Sequence, residues 1–129
     1  MAFKVVRFGS ERRNGEGLRI GTVRRPPRGV KKEEYGERNY FDIWLPELAP
    51  SAELVAWANA EPHSAKRRAT LERQYRSEMK TPTTKHLIQL LANLSINTDF
   101  AIGCYCEVEN QCHRSILKQL LIEQGGQIA

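Results

Sequence analysis

The chain has 129 residues, 40% of them hydrophobic and 27% charged, with 20 Lys/Arg against 15 Asp/Glu and a net charge of +5. That length suits one domain with one hydrophobic core, and the balanced composition excludes disordered, collagen-like and disulfide-scaffold proteins. The charge is localised: residues 1–38 hold 11 Lys/Arg and 5 Asp/Glu, an excess of 6, whereas residues 39–129 hold 9 and 10, a balance of −1.

Along the chain, residues 3–9 (FKVVRFG) and 18–24 (LRIGTVR) carry β-branched residues bounded by glycines and predict two strands, with the polar residues 10–17 as a loop between them. Residues 26–39 hold Pro26-Pro27, two glycines and the charged run Lys31 to Glu34, the composition of a long surface connection. Residues 39–45 (NYFDIWL) predict a short extended piece stopped by Pro46. Ser51 is placed to cap a short helix whose Leu54, Val55 and Ala58 share a face.

A second helix is predicted over 64–80 from the four-residue spacing of Leu71, Tyr75 and Met79. Thr81-Pro82 then opens a third, with Leu87, Ile88, Leu91 and Leu94 as a core stripe. Residues 99–106 (DFAIGCYC) have the composition of a buried strand, and 114–124 predict a last helix with Ile116, Leu117, Leu120 and Leu121 inward and Gly125-Gly126 at its end. Strands alternating with helices imply one α/β domain over residues 1–129, with a small, mostly parallel sheet of about four strands covered by helices.

The longest uncharged apolar stretch, 100–106, is far below the roughly 20 residues that a membrane-spanning helix requires. Lys4 and Arg7 interrupt the amino terminus before a signal-peptide core forms. Three cysteines do not all pair, and Cys104 and Cys106 are too far apart along one strand to bridge each other comfortably. The expectation is a cytoplasmic protein in a reducing compartment.

Chemistry concentrates in Cys104-Tyr105-Cys106, five residues, then Cys112-His113-Arg114, which spans a strand end and a helix start. A helix amino terminus offers unpaired N–H groups and partial positive charge, favouring an anion or a thiolate, and a guanidinium adds a two-pronged donor for phosphate or carboxylate. Cys112 is the expected nucleophile, with His113 beside it. The intervening Glu107-Val108-Glu109-Asn110-Gln111 has no glycine, so this is not a phosphatase-type cysteine loop. Two other readings stand beside the anion site: three packed small residues, or a zinc site of Cys104, Cys106, Cys112 and His113. The last lacks the usual C-x2-C knuckles, so no bound metal is expected.

Arg24-Arg25-Pro26-Pro27-Arg28-Gly29 is the second candidate, because prolines hold neighbouring guanidinium groups in a fixed frame and Gly29 permits a tight turn. If strands 18–24 and 99–106 are parallel, Arg24 and Arg28 open on the same edge as Cys112 to Arg114 and form one site. Asp42 is a candidate catalytic carboxylate on that edge. The rival reading is an interaction module whose basic amino-terminal third docks an acidic partner. Nucleic-acid binding is expected to be weak and non-specific, since no aromatic-basic alternation or base-reading motif accompanies the charge. Nothing in the residues names a substrate, cofactor or oligomeric state.

Four short runs in order, Pro27-Arg28-Gly29, Ala49-Pro50-Ser51-Ala52-Glu53-Leu54, Gln74-Tyr75-Arg76-Ser77-Glu78-Met79 and Cys112-His113-Arg114-Ser115, resemble domain-of-unknown-function family 488, the YeaO-like proteins. The resemblance spans about residues 18–122. Its Asp-Arg-Leu-Trp-Pro-Arg-Gly run is matched by Arg24, Pro27, Arg28 and Gly29. Val23 stands in place of its Asp, Pro26 in place of its Trp, and Met79 in place of a helix Leu. The resemblance implies an α/β fold and ligand-binding positions at Arg24, Arg28, Gly29, Arg114 and Ser115. Asp42 is the available substitute for the missing acid. It implies no activity.

Overall fold

The computed structural model describes residues 1–26, 29–106 and 109–129. Its strands are β1 (Phe3–Arg7), β2 (Leu18–Gly21), β3 (Ile43–Trp44) and β4 (Phe100–Cys104). The helices are α1 (Ala52–Asn59), α2 (Ala65–Glu78), α3 (Pro82–Asn97) and α4 (His113–Glu123). The four strands form one sheet in the order β1-β4-β2-β3, and every pairing is parallel. Parallel strands need crossovers, and the crossovers supply the covering helices. Among the described residues no helix is long and apolar enough to cross a membrane.

β4 lies between β1 and β2 with all five residues buried, which is why its sequence is an unbroken apolar run. Its Gly103 is required by packing: a Cβ there would stand 2.7 Å from a ring carbon of Phe8. β1 and β2 end sooner than their apolar patterns suggest, at Arg7 and Gly21. Beyond them, Phe8 and Val23 turn into a small cluster with Phe41, Cys104 and Cys112. The main core holds Phe3, Ile20, Phe100 and Ile102 from the sheet and Leu54, Leu71, Tyr75, Ile88, Leu91, Ile116, Leu117 and Leu121 from the helices.

In α3 the inward face differs from the predicted stripe. Ile88 and Leu91 are buried, but Leu94 is 41% exposed, and Ala92 and Ser95 take the inner positions. Small residues there allow close approach, and the Ser95 hydroxyl donates to the Ala92 carbonyl at 2.6 Å and accepts from Gln127 N–H at 2.8 Å. A polar side chain is tolerated in a core when its hydrogen bonds are complete.

Three of the short motifs converge on one segment, residues 48–51. The Tyr75 hydroxyl donates to the Leu48 carbonyl at 2.6 Å, and the Glu78 carboxylate accepts from both the Ser51 N–H and the Ser51 hydroxyl. The Arg24 guanidinium donates to the Ala49 and Pro50 carbonyls. Ser51 in turn caps α1 through Leu54 N–H. This clamp fixes α1 against α2 and β2, and so sets the wall of the cleft described next.

Candidate functional site

Parallel strands bring their carboxyl ends to one edge, and the last residue of β4, Cys104, stands there beside Arg7 of β1. Cys106, two residues on, returns to the same side, with its sulfur 3.8 Å from that of Cys104. Cys112 is the N-cap residue of α4, and its own side chain makes no capping bond. The three sulfurs all lie within 4.8 Å of one another. All three cysteines are free, and Cys104 and Cys112 are buried whereas Cys106 is exposed. The residue expected as nucleophile, Cys112, is thus roofed over at 2% exposure, and Cys106 is the sulfur that meets solvent.

Charge around the cluster is arranged to favour a thiolate at Cys106. The Cys104 thiol directs a hydrogen bond to its sulfur and, with the Arg114 charge helping, holds its pKa well below the ordinary thiol range. The neighbouring thiols move the opposite way: that bond, with burial, pushes Cys104 up to about 11, and the adjoining sulfurs of Cys104 and Cys106, with burial, raise Cys112 as well. Among the three thiols, one proton is shed easily and two are held.

Arg114 is 3% exposed, and among the described residues it has no carboxylate partner. Its Nη1 donates to the Val6 carbonyl at 3.1 Å and the Cys104 carbonyl at 3.3 Å, while its buried Nε has no partner among the described residues.

His113 is oriented with equal care. The Thr22 hydroxyl donates to the Gly103 carbonyl at 2.9 Å, so both its oxygen and the Thr22 carbonyl, 3.1 and 2.8 Å from His113 Nε2, are acceptors. Nε2 therefore carries the proton, and Nδ1, 3.6 Å from the Cys112 sulfur, is left with a lone pair. Burial keeps the ring neutral, with its pKa lowered to about 4.

Cys106 opens into a cleft of about 420 Å³ between α1 and α2. Its wall includes Trp57, His63, Arg67, Arg68 and Gln111. Arg67 is already engaged: it stacks 4.0 Å over Trp57, pairs with Glu61 at 2.6 Å and donates to the Trp57 carbonyl. Arg68 is different, since among the described residues its buried Nη1 has no hydrogen-bond partner. Lys66-Arg67-Arg68 reads in sequence as a solvated helix face. Only the folding of α2 over the β4 edge makes Arg67 and Arg68 cleft residues.

The other predicted positions are placed as follows. Arg24 sits in the clamp on residues 49–50, and the Ser115 hydroxyl donates to the Cys112 carbonyl at 2.8 Å inside the first turn of α4. Asp42 binds Arg12 through two hydrogen bonds and accepts from Arg19 N–H at 2.8 Å. Partial burial opposes its ionisation, but these bonds outweigh it and hold the carboxyl below its ordinary range. Gly29 adopts a φ of 71°, the left-handed conformation a turn glycine is suited to. Arg28 and Glu107 lie outside the described residues. β2 and β4 are parallel, as the shared-edge argument required, but none of the described contacts joins the Arg24 guanidinium to the thiols.

Fold and site together define a parallel α/β protein with a thiol cluster at the carboxyl edge of its sheet. The family model DUF488-N3a, described as the active DUF488-N3 subclade, matches residues 3–125, and the chain belongs to that family. No curated protein and no solved structure matches it.

Proposed function

We propose that the protein binds an anionic ligand, bearing phosphate or carboxylate, in the Cys106 cleft and performs thiol chemistry on it, with Cys106 as the nucleophile. One observation carries this reading: a solvent-facing sulfur supported as a thiolate shares a cleft with a buried guanidinium nitrogen, Arg68 Nη1, that lacks a partner among the described residues. An activated nucleophile beside an unsatisfied cationic donor is the pairing that attack on an anionic substrate requires. Cys104 serves by donating its S–H to Cys106, Arg114 by its charge, and His113 by accepting from Cys112 and so fixing it behind the cluster. Three free thiols suit a reducing compartment, the cytoplasm. The description of the family as active agrees with a catalytic role.

The interaction-module reading has less support, because the basic amino-terminal third spends much of its charge internally. Arg12, Arg19 and Arg24 all hold protein partners.

The test is alkylation at pH 6 with a small haloacetamide and an equally small haloacetate, followed by peptide mapping. Cys106 should be modified first, and the haloacetate should be favoured over the haloacetamide relative to the free-thiol ratio. Arg68→Gln should remove that preference by about tenfold while leaving haloacetamide labelling unchanged. Equal labelling of the three cysteines, or a preference indifferent to Arg68, defeats the reading.

A further inference from the structure

We propose that Cys104, Cys106 and Cys112 form a tripod for a soft divalent ion of the zinc type, with the fourth coordination position open toward the cleft of Trp57 and Arg68. The inference goes beyond the nucleophile reading and does not depend on it, since here the sulfurs act as ligands.

The geometry comes first. Zinc–sulfur bonds of about 2.3 Å at tetrahedral angles place ligand sulfurs about 3.8 Å apart. The Cys104 and Cys106 sulfurs already stand at 3.8 Å, and the whole set lies within 4.8 Å. Closing on an ion thus requires shifts on the order of 1 Å, within the reach of small side-chain rotations. A C-x2-C knuckle gathers its ligands within one turn of chain. Here a strand end and a helix start bring them together across the fold.

Charge is the second and independent observation. Three thiolates on a divalent ion leave one net negative charge, which is costly in a partly buried site unless matched. Arg114 supplies that match: its guanidinium is buried without a carboxylate among the described residues, and its Nε has no partner. Ion binding forms three metal–sulfur bonds and releases to solvent the protons that the thiols carried. His113 is not needed as a ligand, because its Nε2 is committed to Thr22 and the ring orients Cys112 from behind. Three protein ligands and one open position is the arrangement of metal sites that take a water or substrate.

The experiment titrates the full reduced chain with cadmium(II), following the ultraviolet sulfur-to-metal charge-transfer band, and then displaces it with zinc(II). One cadmium per chain is expected, with a band intensity matching three thiolates and full protection of Cys106 from alkylation. Cys106→Ser, at an exposed position, should fold as wild type and weaken binding by at least about a hundredfold. Cys104→Ser should do the same, and circular dichroism verifies its fold. No saturable band in the wild type, or binding unaffected by Cys106→Ser, overturns the tripod. Alkylation of the metal-free chain tests the nucleophile reading separately, so the two fail independently.

Discussion

Among the described residues two arginines are buried, and their surroundings differ completely. Arg19, on β2, is fully enclosed and fully paired. Its Nε and Nη2 meet both oxygens of Glu16 at 3.0 Å, and its Nη1 donates to the Ser10 and Asn39 carbonyls. Arg114, at the start of α4, has two carbonyls, no carboxylate among the described residues and an idle Nε. The first is a closed structural knot that pins the 10–17 loop and the 39–42 segment to the sheet. The second is a cation held in place with its anion left to the thiols. Buried charge that is completely satisfied has no capacity left for a ligand, whereas incomplete satisfaction marks where chemistry or binding completes the site.

The sharpest way to break this contrast is to damage the knot. Glu16→Gln leaves the Arg19 charge enclosed without a counter-charge and should cost about 3 to 5 kcal/mol of stability, read by denaturant unfolding. Cys106 alkylation in the surviving folded fraction should be unchanged. An equal fall in reactivity would mean that the two arginines are not separate systems.

Arg114→Met is the converse experiment. It should cost about 1 to 3 kcal/mol, because the Val6 and Cys104 carbonyls lose their donor. It should also move the acid limb of the Cys106 alkylation profile to higher pH, because the Arg114 charge is one of the effects that lower this thiol's pKa. Stability loss with no change in the pH profile of alkylation would reduce Arg114 to a packing residue like Arg19.

The most gradual effect is the pH response of His113. Its folded pKa is about 4, below the value of about 6.5 in an unfolded chain, so the unfolded state binds the extra proton between these limits. The neutral ring's contribution is complete above pH 6.5 and is lost as pH falls toward 4, at no more than about 1.4 kcal/mol per unit. His113→Gln should flatten that part of the stability curve. A slope unaltered by this change would assign it to other groups.

Much of this architecture is legible in the sequence. The unbroken apolar run of β4 announces a central strand of a parallel sheet, Ser51 and Pro82 mark helix starts, and the spacing of Leu71, Tyr75 and Met79 identifies the buried face of α2. These features are local, because capping and periodicity act over a few residues. Cys104, Cys106, Cys112 and Arg114 were also visible as a cluster, being close along the chain. What only the tertiary structure decided is which sulfur meets solvent, what faces it, and which charges remain unpaired. Arg24 reads as a ligand donor until the fold brings the 48–51 segment to it, and Arg68 reads as a solvated side chain until α2 crosses the β4 edge. Exposure and pairing depend on segments dozens of residues apart, and no local pattern in the amino-acid sequence encodes where those segments meet.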